Sequence, residues 1–245
     1  MEAIKTKDLV KKYKDLTAVK GLNLTVHQGE LYALLGVNGA GKSTTIKMLS
    51  CLTRPTSGDA EVMGHSIVGD SVKVREIINV SPQETAVAAK LSVRENLEFI
   101  ARIYGCNKTE AKQKTDKMIE DFSLQDVENK RAATLSGGWQ RRLSIAMALI
   151  TEPQVLFLDE PTLGLDVLAR RELWHFIEGL KGRMTIILTT HYLEEAESLS
   201  DRIGVMAHGV LCAEGTAAEL KEKAGTDDFE EAFIRLAGEV NSNNQ

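Results

Sequence analysis

Several features are scarce in this sequence, and each scarcity excludes something. There are three cysteines in 245 residues, Cys51, Cys106 and Cys212. They are too widely spaced for a redox pair or a zinc site, and three is an odd number. They are expected to be reduced, mostly buried thiols, which excludes a disulfide-stapled scaffold. Runs of eighteen or more apolar residues are absent, so no membrane-spanning helix is expected. The N-terminal stretch "MEAIKTKDLVKKY" has no apolar centre of the kind found in signal peptides. Positive charge is not in excess either: 30 basic against 35 acidic residues leave a net charge of −5. That balance argues against a dedicated nucleic-acid binder. Lys5, Lys7, Lys11, Lys12 and Lys14 do cluster, and in an acidic chain they read as a solvated strand edge rather than a phosphate-tracking patch. Only four prolines occur and no low-complexity segment or internal repeat stands out. With 43% apolar and 27% charged residues, the chain has the composition of a soluble, intracellular protein with ample material for a core.

Strand-like runs lie near Leu22–Val26, Leu31–Leu35, Ile77–Val80, Val155–Leu158, Thr185–Leu188, Ile203–Met206 and Val210–Ala213. Helical patterns separate several of them, which is the alternation of a parallel α/β protein. "LYALLG" and "VLFLDE" are continuously apolar, as strands buried on both faces of a parallel sheet are. From about residue 84 to 151 the rhythm breaks. Helices are expected over Val93–Tyr104, Thr109–Phe122 and Gly138–Ile150, making a helical insertion between two sheet-forming halves. Ser92 and Glu95 form a capping-box pattern, and Gly105 is a suitable stop. After Gly215 a short appendix carries helices near Ala217–Lys223 and Phe229–Leu236, and the final "NSNNQ" is expected to be disordered.

Chemistry enters at "GVNGAGKST", Gly36 to Thr44, which follows an apolar strand and opens a helix. It fits the phosphate-loop pattern of glycine, four residues, glycine, lysine, then serine or threonine. Glycines at this spacing let successive N–H groups converge on an anion, and the helix N-terminus adds positive potential. Lys42 would neutralise the β- and γ-phosphates and Ser43 would ligate Mg²⁺. A second apolar strand ends in Asp159 and Glu160. Asp159 suits holding Mg²⁺, and Glu160 is placed to orient or deprotonate an attacking water. His191 follows the apolar strand "MTIILTT", where α/β sheets place ligand groups. It is either a γ-phosphate contact or a helix-start residue, whereas His27, His65, His175 and His208 read as surface or boundary residues.

"LSGGWQRR", from Leu135, carries no obvious acid, base or nucleophile, yet two glycines open a strongly helical segment. Ser136 is a good N-cap, and the glycines allow a phosphate to approach the backbone amides. Arg141 and Arg142 are expected on the helix surface, while Trp139, Leu143, Ala146 and Ile150 form an apolar stripe. For Trp139, core packing and an interface role both remain open, with packing preferred.

Taken in order, "GVNGAGKST", "SPQ", "LSGGWQRR", "LFLDEPTLGLD" and "TTH" resemble the ATP-binding subunit of an ABC transporter, over about residues 2 to 215. The resemblance implies a P-loop NTPase (RecA-like) parallel-sheet core with a β-rich N-terminal part and an inserted helical subdomain. It implies that Tyr13 stacks on adenine and that Gly36, Asn38, Gly39, Ala40, Gly41, Lys42, Ser43 and Thr44 form the Walker A loop. Gln83 would then touch Mg²⁺ and sense the γ-phosphate, Glu160 would be the catalytic glutamate and His191 the switch histidine. Leu163 to Asp166 match the D-loop, and Ser136, Gly137 and Gly138 the signature that closes on the ATP of a second, head-to-tail subunit. Two positions depart from the family pattern. Trp139 replaces the usual glutamine, and the D-loop reads "LGLD" rather than "SALD", which leaves the ATPase expectation intact.

The stretch from Ser81 to Gly105 and the tail "AGTDDFEEAFIRLAGE" are similar to the ATPases of ABC-2-type exporters. That similarity implies ATP and Mg²⁺ as cofactors, and separate membrane-embedded permease subunits contacted near Thr85–Tyr104. It also implies a second nucleotide-binding subunit, and a place on the inner face of the cell membrane. An importer subunit and a soluble ABC ATPase of the Fe–S assembly type are the alternatives. A stand-alone nucleotide kinase would share only the phosphate loop.

Overall fold

A computed structural model describes the backbone of residues 1–242 and the side chains of residues 1–238. The chain opens with three antiparallel strands, β1 (Glu2–Tyr13), β2 (Leu16–Leu22) and β3 (Thr25–His27). Along β1 the residues Ala3, Ile4, Thr6 and Leu9 are buried while Lys5 and Lys7 face water. That alternation belongs to an antiparallel sheet with one solvated face. Lys5, Lys7, Lys11 and Lys12 lie on a strand, but not on an edge, since β1 pairs with β2, with β3 and with a later strand; Lys14 is in the turn that follows. The single strand expected over Leu22–Val26 is two, because Asn23 interrupts it. Its side-chain amide donates to Asp8 and to the Gly21 carbonyl, and its Oδ1 accepts from Asp8 N. The Thr6 hydroxyl closes the gap by bonding Leu22 O and Leu24 N.

β4 (Leu31–Leu35) leads into α1 (Lys42–Leu49), after which β5 (Ser57–Val62) and β6 (His65–Ser66) rejoin the antiparallel sheet. Next come α2 (Ser71–Ile77), β7 (Ile78–Ser81), and then three helices without a strand, α3 (Val93–Ile103), α4 (Lys108–Asp121) and α5 (Gly137–Leu149). β8 (Val155–Asp159), α6 (Val167–Glu178), β9 (Thr185–Thr190), α7 (Leu193–Leu199), β10 (Arg202–Ala207), β11 (Val210–Gly215), α8 (Ala217–Ala224) and α9 (Phe229–Ser242) complete the order. The second sheet runs β11-β10-β4-β9-β8-β7, parallel throughout except at β11. The expected α/β class holds.

Burial on both faces explains the unbroken apolar strands. Leu156 and Leu158 face the layer of α3 to α6, while Val155 and Phe157 face α1 and the antiparallel sheet. Ile186 and Leu188 oppose Ile187 in the same way. The parallel sheet is thus a wall between two cores, with loops 36–41, 160–166 and 191–192 leaving its carboxyl edge.

Ser92 makes the expected capping box, with reciprocal bonds between its side chain and Glu95. Gly105 ends that helix at φ 92°. The two C-terminal helices pack on the parallel sheet: Leu220, Phe229 and Leu236 share a buried cluster with Ala33, Leu35 and Val205. α9 includes Asn241 and Ser242, where disorder was expected, and Asn243 to Gln245 lie outside the described residues. The three cysteines are partly exposed rather than mostly buried. Among the described residues no helix is long and apolar enough to cross a membrane.

Candidate functional site

The phosphate loop joins β4 to α1 and is held close to its neighbours. A Cβ on Gly36 would lie 2.2 Å from the Met206 carbonyl oxygen. Gly41 has φ 106°, and a Cβ there would meet Ala18 O at 2.5 Å and Met206 Cε at 2.7 Å. Only glycine satisfies both constraints. Lys42 is buried, its Nζ donating to Gly36 O at 2.6 Å and lying 3.2 Å from Glu160 Oε1. The Ser43 hydroxyl donates to Asp159 Oδ1 at 3.0 Å, and Thr189 Oγ1 donates to the same oxygen at 2.5 Å. β8 and β9 therefore deliver Asp159 directly behind the start of α1.

Glu160 follows β8 with φ 49°, a left-handed conformation that costs a non-glycine residue on the order of 1–2 kcal/mol. The turn aims its carboxylate back into the site. Its backbone N–H donates to Thr189, and Oε2 lies 2.7 Å from His191 Nδ1. A carboxylate only accepts, so the Nδ1–H of His191 donates to it. Lys42, Glu160 and His191 thus meet as a cation, a carboxylate and an imidazole at one point. His191 is not the start of α7, since Tyr192 occupies the N-cap.

These groups line a cavity of about 920 Å³ with Tyr13, Asn38 to Thr44, Gln83 and Leu163. Asp15, Leu16, Thr17, Ala18, Lys20, His208 and Gly209 line it too, and none of them was expected in the site. They come from the β1–β2 turn, from β2 and from the β10–β11 turn, which only the tertiary fold brings to the phosphate loop. Tyr13 stands at the mouth, half exposed, with the Lys11 ammonium 4.9 Å from its ring centre.

Ser136, Gly137, Gly138 and Asp166 do not line this cavity. Ser136 caps α5 by position, but its hydroxyl makes no capping bond, and the helix begins at Gly137. Gly138 packs against α6, where a Cβ would sit 3.3 Å from Ala169 Cβ; Gly137 has open space beside it. Asp166 caps α6 by accepting from Ala169 N at 2.9 Å. Gly137 instead shares a smaller hollow with Gln83 and Leu163.

One expectation about α5 is overturned. Arg141 does not sit on the helix surface: it is buried, and its guanidinium donates to Pro82 O at 2.6 Å and to Gln83 O. Burial lowers its pKa, while the charges of Asp159 and Glu195 act the other way. Residues 143 to 149 of α5 are all buried, and Arg141 lies on the face turned to the Pro82 and Gln83 carbonyls rather than on the side where Arg142 meets water. Arg142 does reach the surface, where it pairs with Glu172 and lies over the Trp139 ring. Trp139 itself packs against the helical core, as the preferred reading has it.

A family model described as "ABC transporter" matches residues 19–163. The chain is 44% identical over 231 residues to "Daunorubicin resistance ATP-binding protein DrrA3" of Streptomyces coeruleorubidus, covering 94% of this chain and 73% of that protein. Against "Daunorubicin/doxorubicin resistance ATP-binding protein DrrA" of Streptomyces peucetius it is 44% identical, covering 92% and 68%. Among solved structures, "Structure of ATP binding subunit of ABC transporter" superposes with a TM-score of 0.84 at 29% identity, covering 96% of this chain and 99% of the other. A dimeric ATP-binding cassette in a post-hydrolysis state bound to ADP and Pi gives 0.79 at 25% identity, covering 87% and 98%. Loop, acidic strand end, sheet order and sequence agree, and the chain belongs to the ATP-binding proteins of the ABC transporter family.

Proposed function

We propose that this chain hydrolyses ATP as half of a head-to-tail pair and so drives export through separate membrane-embedded subunits. The observation that carries this reading is the buried meeting of Lys42, Glu160 and His191 beside the phosphate loop. Tyr13 stacks on the adenine. Amides of Gly39 to Thr44 and the Lys42 ammonium hold the phosphates, and Gln83 reports the γ-phosphate. Glu160 takes a proton from the attacking water as its oxygen bonds to the γ-phosphorus. The bond to the β–γ bridging oxygen breaks, its electron pair leaves with ADP, and phosphate is the second product. His191, held by Glu160 through Nδ1, can accept from the attacking water at its other ring nitrogen, or donate to the γ-phosphate when that nitrogen carries a proton.

Ser43, Asp159 and Gln83 are hard oxygen donors of the kind Mg²⁺ takes when it binds through one carboxylate plus substrate phosphates. Bound there, Mg²⁺ would neutralise charge between the β- and γ-phosphates. Ser136 and the amides of Gly137 and Gly138 serve the partner's ATP, with Asp166 at the same junction. Residues 1–215 act as the ATPase unit with its helical subdomain at about 84–151, and 216–245 as a C-terminal addition.

Relatives named for daunorubicin resistance support export. Phe99, Ile103 and Tyr104 on and after α3 are exposed apolar groups in the segment expected to meet a membrane partner, which supports a place at the inner face of the cell membrane. The test is Glu160→Gln. The variant is expected to bind ATP, to lose steady-state turnover and to accumulate as a dimer in ATP by gel filtration. Turnover at the normal rate by that variant would overturn the assignment.

A further inference from the structure

Glu195 has no part in the chemistry described so far, yet among the described residues it is the most deeply buried acid, at 0% exposure. It lies in α7, four residues after His191. Its Oε1 accepts from Thr162 Oγ1 at 2.8 Å and from Trp174 Nε1 at 3.0 Å, while Oε2 is buried without a hydrogen bond of normal geometry, the Thr190 hydroxyl being close enough to stabilise the carboxylate's charge. Each contact comes from a different element. Thr162 belongs to the turn that carries Glu160, and Trp174 to α6; Glu195 itself rides on the helix that His191 introduces. A buried carboxylate with one oxygen short of a well-formed hydrogen bond costs several kcal/mol and adds less to stability than a neutral group of the same shape. Its retention therefore calls for a use.

The left-handed backbone at Glu160 provides one. A strained residue holds its conformation only when its surroundings over-determine it. Upstream, Glu160 N is tied to Thr189; downstream, Leu163 N bonds Glu160 O at 3.2 Å and the Thr162 side chain is tied to Glu195. The Glu195 tether thus joins the turn after Glu160 to the helix after His191. We infer that Glu195 is a positioning residue: through Thr162 it fixes the Glu160 turn against α7 and so holds the Glu160 and His191 side chains in reacting geometry. It touches neither nucleotide nor water. This inference rests on the ATPase reading above.

A misplacement of about 1 Å at a reacting group costs on the order of 100-fold in rate. In the full chain, Glu195→Gln keeps the shape and loses the charge-assisted acceptor. It is expected to leave the KM for ATP within about twofold and to lower kcat by about 10- to 100-fold. Thr162→Val should act in the same direction, and the double variant should be no slower than the slower single one, because one variant weakens and the other removes the same Thr162–Glu195 bond. Should Glu195→Gln fail to fold, Thr162→Val alone carries the test. The inference is overturned if kcat is unchanged in the variant used, or if the two losses multiply. Wild-type chain assayed in parallel separates the two claims. Absence of hydrolysis by wild type defeats the ATPase reading, whereas normal hydrolysis by wild type and variant alike defeats only this inference.

Discussion

At the scale of single residues, the two buried ions pull stability in opposite directions. Burial pushes the Glu195 carboxyl above its ordinary range, with the hydroxyls of Thr190 and Thr162 and the Trp174 indole opposing the shift. Between the unfolded and the raised folded pKa, the native state keeps a proton that the unfolded state has lost. Stability therefore falls as pH rises through that window. Glu195→Gln removes the titration. Its stability relative to wild type should improve from below the usual carboxylate range up to the folded pKa, as read by urea unfolding across pH; a pH-independent difference contradicts this. A variant that gains relative stability at neutral pH while losing turnover marks a group retained for use rather than for the fold. Arg141 is the reverse case, a cation whose two donors are spent on the Pro82 and Gln83 carbonyls. Arg141→Met should cost about 2–4 kcal/mol in the same unfolding measurement, since it removes charge-assisted bonds and strands buried carbonyls. Arg141→Lys should recover only part of that, because an ammonium cannot reproduce the guanidinium fork.

Elements differ in how openly the sequence announces them. β4, β8 and β9 are unbroken apolar runs because both faces of the parallel sheet are covered. β1 and β5 are not legible in the same way. Their alternation places lysine, aspartate and glutamate on a solvated face, so the buried Ile4, Leu9, Ala60 and Val62 are diluted by charge. The site divides along similar lines. Lys42, Asp159, Glu160 and His191 lie next to apolar strands and could be read directly. Lys20 reaches the cavity from β2 and His208 from the β10–β11 turn, elements whose position depends on the whole fold. The sequence misleads at Arg141 because arginine usually snorkels to water, whereas its face of α5 is turned to the Pro82 and Gln83 carbonyls. The phosphate loop permits a sharper test, because its glycines are not equivalent. Gly39 has φ 84° with open space beside it, while Gly41 combines φ 106° with backbone 2.5 Å from a Cβ. Gly39→Ala should therefore cost about 1 kcal/mol of backbone strain and little else. Gly41→Ala should displace the loop and weaken ATP binding at least tenfold more than Gly39→Ala does. Equal affinities in a nucleotide titration would contradict the geometry.

For the molecule as a whole, the arrangement leaves work unfinished inside one chain. The cavity gathers Lys42, Glu160 and His191, but Ser136, Gly137 and Asp166 stand outside it. α5 begins with an uncapped serine and a glycine beside open space, and a free helix N-terminus favours an anion. A head-to-tail partner would bring that terminus to the other chain's nucleotide, giving two composite sites per pair. Consider then a Ser136→Arg subunit, whose phosphate loop is intact, mixed with a Lys42→Ala subunit, whose signature is intact. Each alone should be inactive, since both of its sites carry the same defect. In a mixed pair both defects fall in one site, so the other is complete. With random pairing and independent sites, the mixture should recover about a quarter of wild-type hydrolysis. Crosslinking or differential tagging must show that mixed pairs form. If they form and the mixture still hydrolyses no faster than either parent, the sites are not shared between subunits and the signature helix has some other use.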